Sequence, residues 1–153
     1  MAKVIEVKPH YEEPEIRPGA ITVFLAGTID MGNSEDWQHK LVEEVKTWDL
    51  YGRDYVFYNP RRDEGFNDDK GEFEYQVNWE LDHLESCKNI IMCILGTSKS
   101  PITLMELGLF ARSGKLEVIC EPNFYRYGNV KITCERYGVP LYSSLEEYLK
   151  LAK

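Results

Sequence analysis

The chain has 153 residues, 43% of them hydrophobic and 29% charged, the size and balance of one globular domain. Its formal net charge of −8 argues against a duplex nucleic-acid surface, which needs clustered Lys and Arg, and against an anionic membrane face. No run approaches the ~20 apolar residues of a membrane span, the N-terminus lacks the apolar core of a signal peptide, and the Cys residues, without metal-ligand or CxxC spacing, fit a reducing cytosol.

Residues 1–20 are polar, contain Pro14 and Pro18, and read as an N-terminal arm; a single domain is expected over 21–153. Ile21-Thr-Val-Phe-Leu-Ala26, ending at Gly27, has the apolar, β-branched character of a buried strand. Asn33 or Ser34 can cap a helix with Glu35 and Asp36 in its first turn, and Trp37, Leu41, Val45 and Trp48 then recur at helical spacing. Tyr55-Val-Phe-Tyr58 is a second strand, stopped by Asn59-Pro60. The charged, Gly-containing stretch 60–72 is long for a connection and reads as a working loop. A helix follows over about 73–87, with Val77, Leu81 and Leu84 on one side. Asn89-Ile-Ile-Met-Cys-Ile-Leu95 is the strongest strand, and its unbroken apolar run suggests that both faces are covered. Ser100-Pro101 opens the next helix, Gly114 ends it, and Leu116-Glu-Val-Ile-Cys120 is a fourth strand. A Tyr-rich loop over 123–129, a weak fifth strand over 139–142 and a last helix over 144–151, with Ser143 and Glu146 as a capping box, complete the chain.

Strands alternating with helices predict a flavodoxin-like, doubly wound α/β domain: a mostly parallel five-stranded sheet with helices on both faces. Ligands in such sheets sit at the carboxyl ends of the strands. Here those ends are Gly27-Thr28-Ile29-Asp30, Asn59-Pro-Arg61-Arg62, 96–101 and 121–127.

One residue breaks the apolar pattern most sharply. Glu106 is the only charge between Lys99 and Arg112. A carboxylate there is costly unless it is paired, hydrogen-bonded or protonated, and a position that carries such a cost is a candidate for chemistry. Against this, Thr103-x-x-Glu106 also matches a capping box, so Glu106 could merely cap its helix. Glu80 repeats the anomaly on a row with Phe73, Val77, Leu84 and Cys87; a rim residue with its head in water is the plain alternative. Asp30 closes the turn after the first strand. Arg61 and Arg62 could bind an anion or balance the acids of their own loop. Trp79 suits packing or base stacking. No GxGxxG or GK[ST] pattern occurs, so a nicotinamide or P-loop site is not expected. No metal site is visible.

Four segments together resemble the nucleoside 2-deoxyribosyltransferase family, in particular its short phage and bacterial members. They are Val23-Phe-Leu-Ala-Gly-Thr28, Asn59-Pro-Arg-Arg62, Gln76-Val-Asn-Trp-Glu-Leu81 and, most specifically, Pro101-Ile-Thr-Leu-Met-Glu-Leu-Gly108. The resemblance implies a glutamate nucleophile at Glu106, an acid near the base at Glu80 or Asp82, and a homo-oligomer whose neighbour completes the site, with Asn129 as the neighbour's contribution. Gly27, Thr28 and Thr103 fall in the matching segments, Ser100 directly precedes the last of them, and all four are expected substrate contacts. One position departs: better-known members carry an aspartate beside the sugar hydroxyls where this chain has Ser100.

The expected reaction is transfer of a 2-deoxyribosyl group between nucleobases by double displacement, with retention. Glu106 is the nucleophile, Glu80 or Asp30 protonates the leaving base, Trp79 or Tyr125 sandwiches it, and no cofactor is required. Hydrolysis of deoxynucleosides or their 5′-monophosphates, with Arg61 or Arg62 on the phosphate, is the close alternative. A catalytically silent nucleotide-binding module is the other.

Overall fold

The strand at Asn89–Ile94 shows how the fold is held. In the computed structural model, which describes residues 1–29, 34–63 and 71–153, its side chains alternate between two cores. Ile90, Met92 and Ile94 point into one cluster and Ile91 and Cys93 into the other. Both faces are dry, so the whole run must be apolar.

The elements in chain order are β1 (Val4–Val7), β2 (Ile21–Gly27), α1 (Trp37–Val45), β3 (Tyr55–Tyr58), α2 (Glu72–Ser86), β4 (Asn89–Ile94), α3 (Pro101–Phe110), β5 (Leu116–Cys120), α4 (Tyr127–Tyr137), β6 (Leu141–Tyr142) and α5 (Leu145–Ala152). Every pairing is parallel, in the order β1-β3-β2-β4-β5-β6. The buried side chains of α2, α3 and α4 share one cluster, and those of α1 and α5 share the other. The fold is flavodoxin-like, with the switch point between β2 and β4, where successive crossovers leave on opposite faces.

The sheet has six strands, not five. The extra one, β1, comes from the residues read as an arm and pairs at the edge with β3 only. Residues 8–17 then cross the molecule on side-chain bonds. Lys8 Nζ meets Asp63 at 2.6 Å, Glu13 accepts from Tyr58 Oη at 3.0 Å, and Arg17 Nε donates to Asp54 at 2.7 Å.

Capping differs from expectation by one or two residues. Asp36, not Asn33 or Ser34, caps α1 by accepting from His39 N at 3.0 Å; position 33 lies outside the described residues. Ser144, not Ser143, caps α5, while Glu147 reaches back to Ser143 N at 3.0 Å. Trp48 lies beyond α1, which ends at Val45. The Tyr-rich segment runs into a helix, α4, that was not expected; Gly138 closes it at φ 68°.

Candidate active site

Gly27 ends β2 at φ 137°, and a Cβ there would lie 2.0 Å from the Cys93 carbonyl oxygen of β4. Only glycine lets the two strand ends approach this closely. The next residue uses that approach. Thr28 N donates to Cys93 O at 2.9 Å, and Thr28 Oγ1 accepts from Leu95 N at 3.0 Å. The same hydroxyl lies 2.7 Å from Ser100 Oγ and 3.0 Å from Ser98 Oγ, and the two serine oxygens are 2.7 Å apart. A closed, buried ring of three hydroxyls therefore spans the switch point.

Ser100 is also the residue before α3. Its backbone is left-handed, at φ 45°, and its hydroxyl makes no capping bond because the ring occupies it. Pro101 at the first helical position fixes the start of the helix there. This disposes of the local-cap reading of Glu106. Thr103 is a buried helical residue, not a cap, and Glu106 lies on the second turn of α3, 4% exposed.

The carboxyl that meets Glu106 is Glu80 of α2, within hydrogen-bonding range. Burial pushes the pKa of Glu106 up to about 8, helped by the charge of Glu80 and the bond between them. Glu80 is also raised, by burial. A hydrogen bond from Gln76, the bond with Glu106 and the charge of Arg62 hold it back. Two acids this close cannot both ionise at low cost, so the pair holds one proton near neutrality. Arg62 Nε donates to Gln76 at 2.7 Å, and Gln76 Nε2 donates to Glu80 at 2.8 Å.

A family model described as nucleoside 2-deoxyribosyltransferase like matches residues 20–124, from the start of β2 through the loop after β5. That is more than half of the chain. The chain belongs to the nucleoside 2-deoxyribosyltransferase-like family. No curated protein matches it.

The match to this deoxyribosyltransferase-like family takes in β2, β4 and both carboxyl-bearing helices. Of the two acids considered for the position near the base, Glu80 faces Glu106, whereas Asp82 is exposed on the outer side of α2. Asp82 lines an open groove there with Glu74, Tyr75, Asn78, Trp79 and His83. Trp79 is 7% exposed and packs against Phe24, Tyr58 and His83, so most of its ring is core rather than a free stacking platform. Tyr125 is exposed, and its ring carries Lys99 at 4.4 Å. Asn129 is exposed on the first turn of α4, and no hydrogen bond among the described residues joins it to the acid pair.

The two arginines are internal braces. Arg61 is buried and donates to Ile29 O at 3.2 Å and Ser34 Oγ at 2.7 Å, which ties the loop after β2 to the loop after β3. Arg62 bonds Gln76 and, at 2.7 Å, Glu72. Asp30 lies outside the described residues. Among the described residues no group of three or more His, Cys, Asp or Glu could hold a metal ion, and no helix is long and apolar enough to cross a membrane. Sequence reasoning missed two contributors. Ser98 carried no signal beyond its place in the loop after β4. Gln76 stood one helical turn before Glu80, a spacing at which side chains meet.

Proposed function

We propose that the chain transfers a 2-deoxyribosyl group between nucleobases through a covalent sugar ester on Glu106. The observation that carries this reading is the Glu80–Glu106 carboxyl pair between α2 and α3, with Glu106 buried and Glu80 half-buried. A single shared proton suits the chemistry. The proton leaves Glu106 for Glu80, and the freed carboxylate attacks C1′ of a deoxynucleoside. The C1′–N bond breaks, its electrons pass to the base, and Glu80 protonates that base. A second base then attacks C1′ through a ring nitrogen, the C1′–O bond breaks, and Glu106 is regenerated while Glu80 takes up the incoming base's proton. Two displacements give retention. Incubation with deoxyadenosine, with and without free cytosine, tests the reading. New deoxycytidine supports transfer, free adenine without exchange supports hydrolysis, and ligand binding without turnover leaves a silent module.

The hydroxyl ring favours a second reading, hydrolysis of 5′-monophosphates. An aspartate at position 100 would repel a phosphate, whereas Ser100, its hydroxyl held within the ring, brings no charge. Arg61 and Arg62 are both engaged elsewhere and do not support it. Aspartate tolerates the left-handed backbone of Ser100. Ser100→Asp is therefore expected to lower kcat/KM on a 5′-monophosphate by about tenfold or more relative to the nucleoside, because like charges would then face each other. Equal change on both substrates, measured by base release, removes the phosphate from this position.

The proposed partner is a second copy of the chain. Ile102, Met105 and Leu109 stand 56%, 50% and 57% exposed along one stripe of α3. Phe73 and Val77 of α2 are exposed as well. An exposed apolar helix stripe of this kind suits an interface. Leu109→Glu is expected to shift the particle mass to that of a monomer in light scattering, with loss of activity if a neighbour completes the site. An unchanged mass sinks this assignment.

A further inference from the structure

One amide beside the acid pair has no freedom of orientation. Gln76 Oε1 accepts from Arg62 Nε at 2.7 Å. A guanidinium has donors only, so the amide oxygen must face it and the amide nitrogen must face away. That nitrogen donates to Glu80 Oε2 at 2.8 Å and to the Pro60 carbonyl at 3.2 Å. Arg62 is held in turn, because its Nη2 donates to Glu72 at 2.7 Å, and the Glu72 carboxylate also meets His10 Nε2 at 3.0 Å. The chain of bonds runs from the N-terminal segment through a loop to the acid pair, and its polarity is set at every step.

We propose that Gln76 is a positioning residue for the transfer: its amide occupies Oε2 of Glu80 and leaves Oε1 as the one oxygen on which Glu80 can carry a proton. This rests on the reading of Glu80 and Glu106 as the reacting pair. A proton on Oε2 would face a donor that cannot accept it. The proton that passes from Glu106 to Glu80 therefore stays on one atom, from which it is handed to the base. The same amide bond favours the Glu80 anion left behind, so it also lowers the cost of the hand-over. Among the described residues, the charged or titratable groups that act on the pair are Arg62 on the side of the loop and the two carboxyls themselves. Glu72 and His10 act on Arg62 from its far side.

Two variants separate anchoring from donation. Gln76→Met removes both bonds at similar length. Gln76→Glu keeps an acceptor for Arg62 and removes the donor to Glu80. The readout is a carboxyl-carbon NMR titration of Glu80 and Glu106, with steady-state kinetics on deoxyadenosine beside it. In Gln76→Met the upper titration step of the pair is expected to move up by about one unit, since the doubly ionised state loses its donor, and in Gln76→Glu by more, since a third carboxyl then faces the pair. Alongside, kcat should fall about tenfold or more with KM within about threefold, the pattern of a group that acts after binding. An upper step within about 0.3 unit of wild type in folded Gln76→Met overturns the proposal. Should Gln76→Met not fold, the same readout and limit on Gln76→Leu, which adds no charge, decide. If the wild-type protein releases base from no deoxynucleoside, the catalytic reading falls on its own, and the titration still decides whether Gln76 sets the protonation of Glu80.

Discussion

Glu106→Gln is expected to abolish base release and, at the same time, to stabilise the fold. The first half follows from chemistry. An amide cannot attack C1′, and losing a nucleophile costs about 10⁴-fold or more in kcat. The second half follows from burial. Glu106 binds its proton at about pH 8 in the folded chain, against 4.5 for an ordinary glutamate. A raised pKa of this kind contributes stability that is complete below the unfolded value and is lost as pH rises through the folded one. Wild type therefore loses stability between about pH 4.5 and 8, and the variant, which has nothing to ionise, does not. The Gln side chain can also donate to Glu80, as the protonated acid does. The two proteins should melt together near pH 5. By pH 8 the variant should lead by on the order of 2–4 kcal/mol, a rise in Tm of several degrees for a chain of this length. Thermal melts across that range check it. A variant no more stable than wild type at pH 8, or one that still releases base, removes Glu106 from the role of a buried nucleophile.

How far the site could be read from residues alone depended on what each residue packs against. The core strands were legible because β2, β4 and β5 are covered on both faces by this chain's own helices. The start of α3 was legible because Ser100-Pro101 encodes it locally. The inward face of α2 was not. Phe73 and Val77 share a row with Glu80, yet both are exposed, and the buried side chains of this helix are Trp79 and Leu84. An apolar row normally marks the core, but here only its second half, Leu84 and Cys87, does so. Glu80 is half-buried and meets Glu106 of α3 instead. Two further elements gave weak patterns. The edge strand β1 is only partly buried at three of its four residues. The helix α4 buries only Val130 and Cys134 and starts without a side-chain cap. Thr28 and Ser98 meet from positions 70 residues apart, a closure that only the sheet register provides.

The other large expected effect lies in the pH dependence and in Glu80. Turnover by the proposed route needs one proton on the pair. With two, Glu106 is no nucleophile. With none, the base leaves as an anion. The rate should therefore rise and fall with pH, and both limbs belong to the pair rather than to either residue. The alkaline limb should fall near pH 8, where the last proton leaves. The acid limb should lie above the ordinary carboxyl range, because burial raises Glu80 too. Glu80→Gln removes the proton donor and leaves Glu106 as a lone acid. Its rate on deoxyadenosine should drop about 10²- to 10⁴-fold, the usual contribution of general acid catalysis. The loss should shrink on deoxynucleosides whose base is already a stable anion, since such a leaving group needs no proton. The alkaline limb should vanish, because the group that had to stay protonated is gone. A Glu80→Gln enzyme that keeps the same limb and loses equally on good and poor leaving groups assigns the proton to another residue. Asp30, three positions after Gly27 in the sequence, is then the next carboxyl to replace.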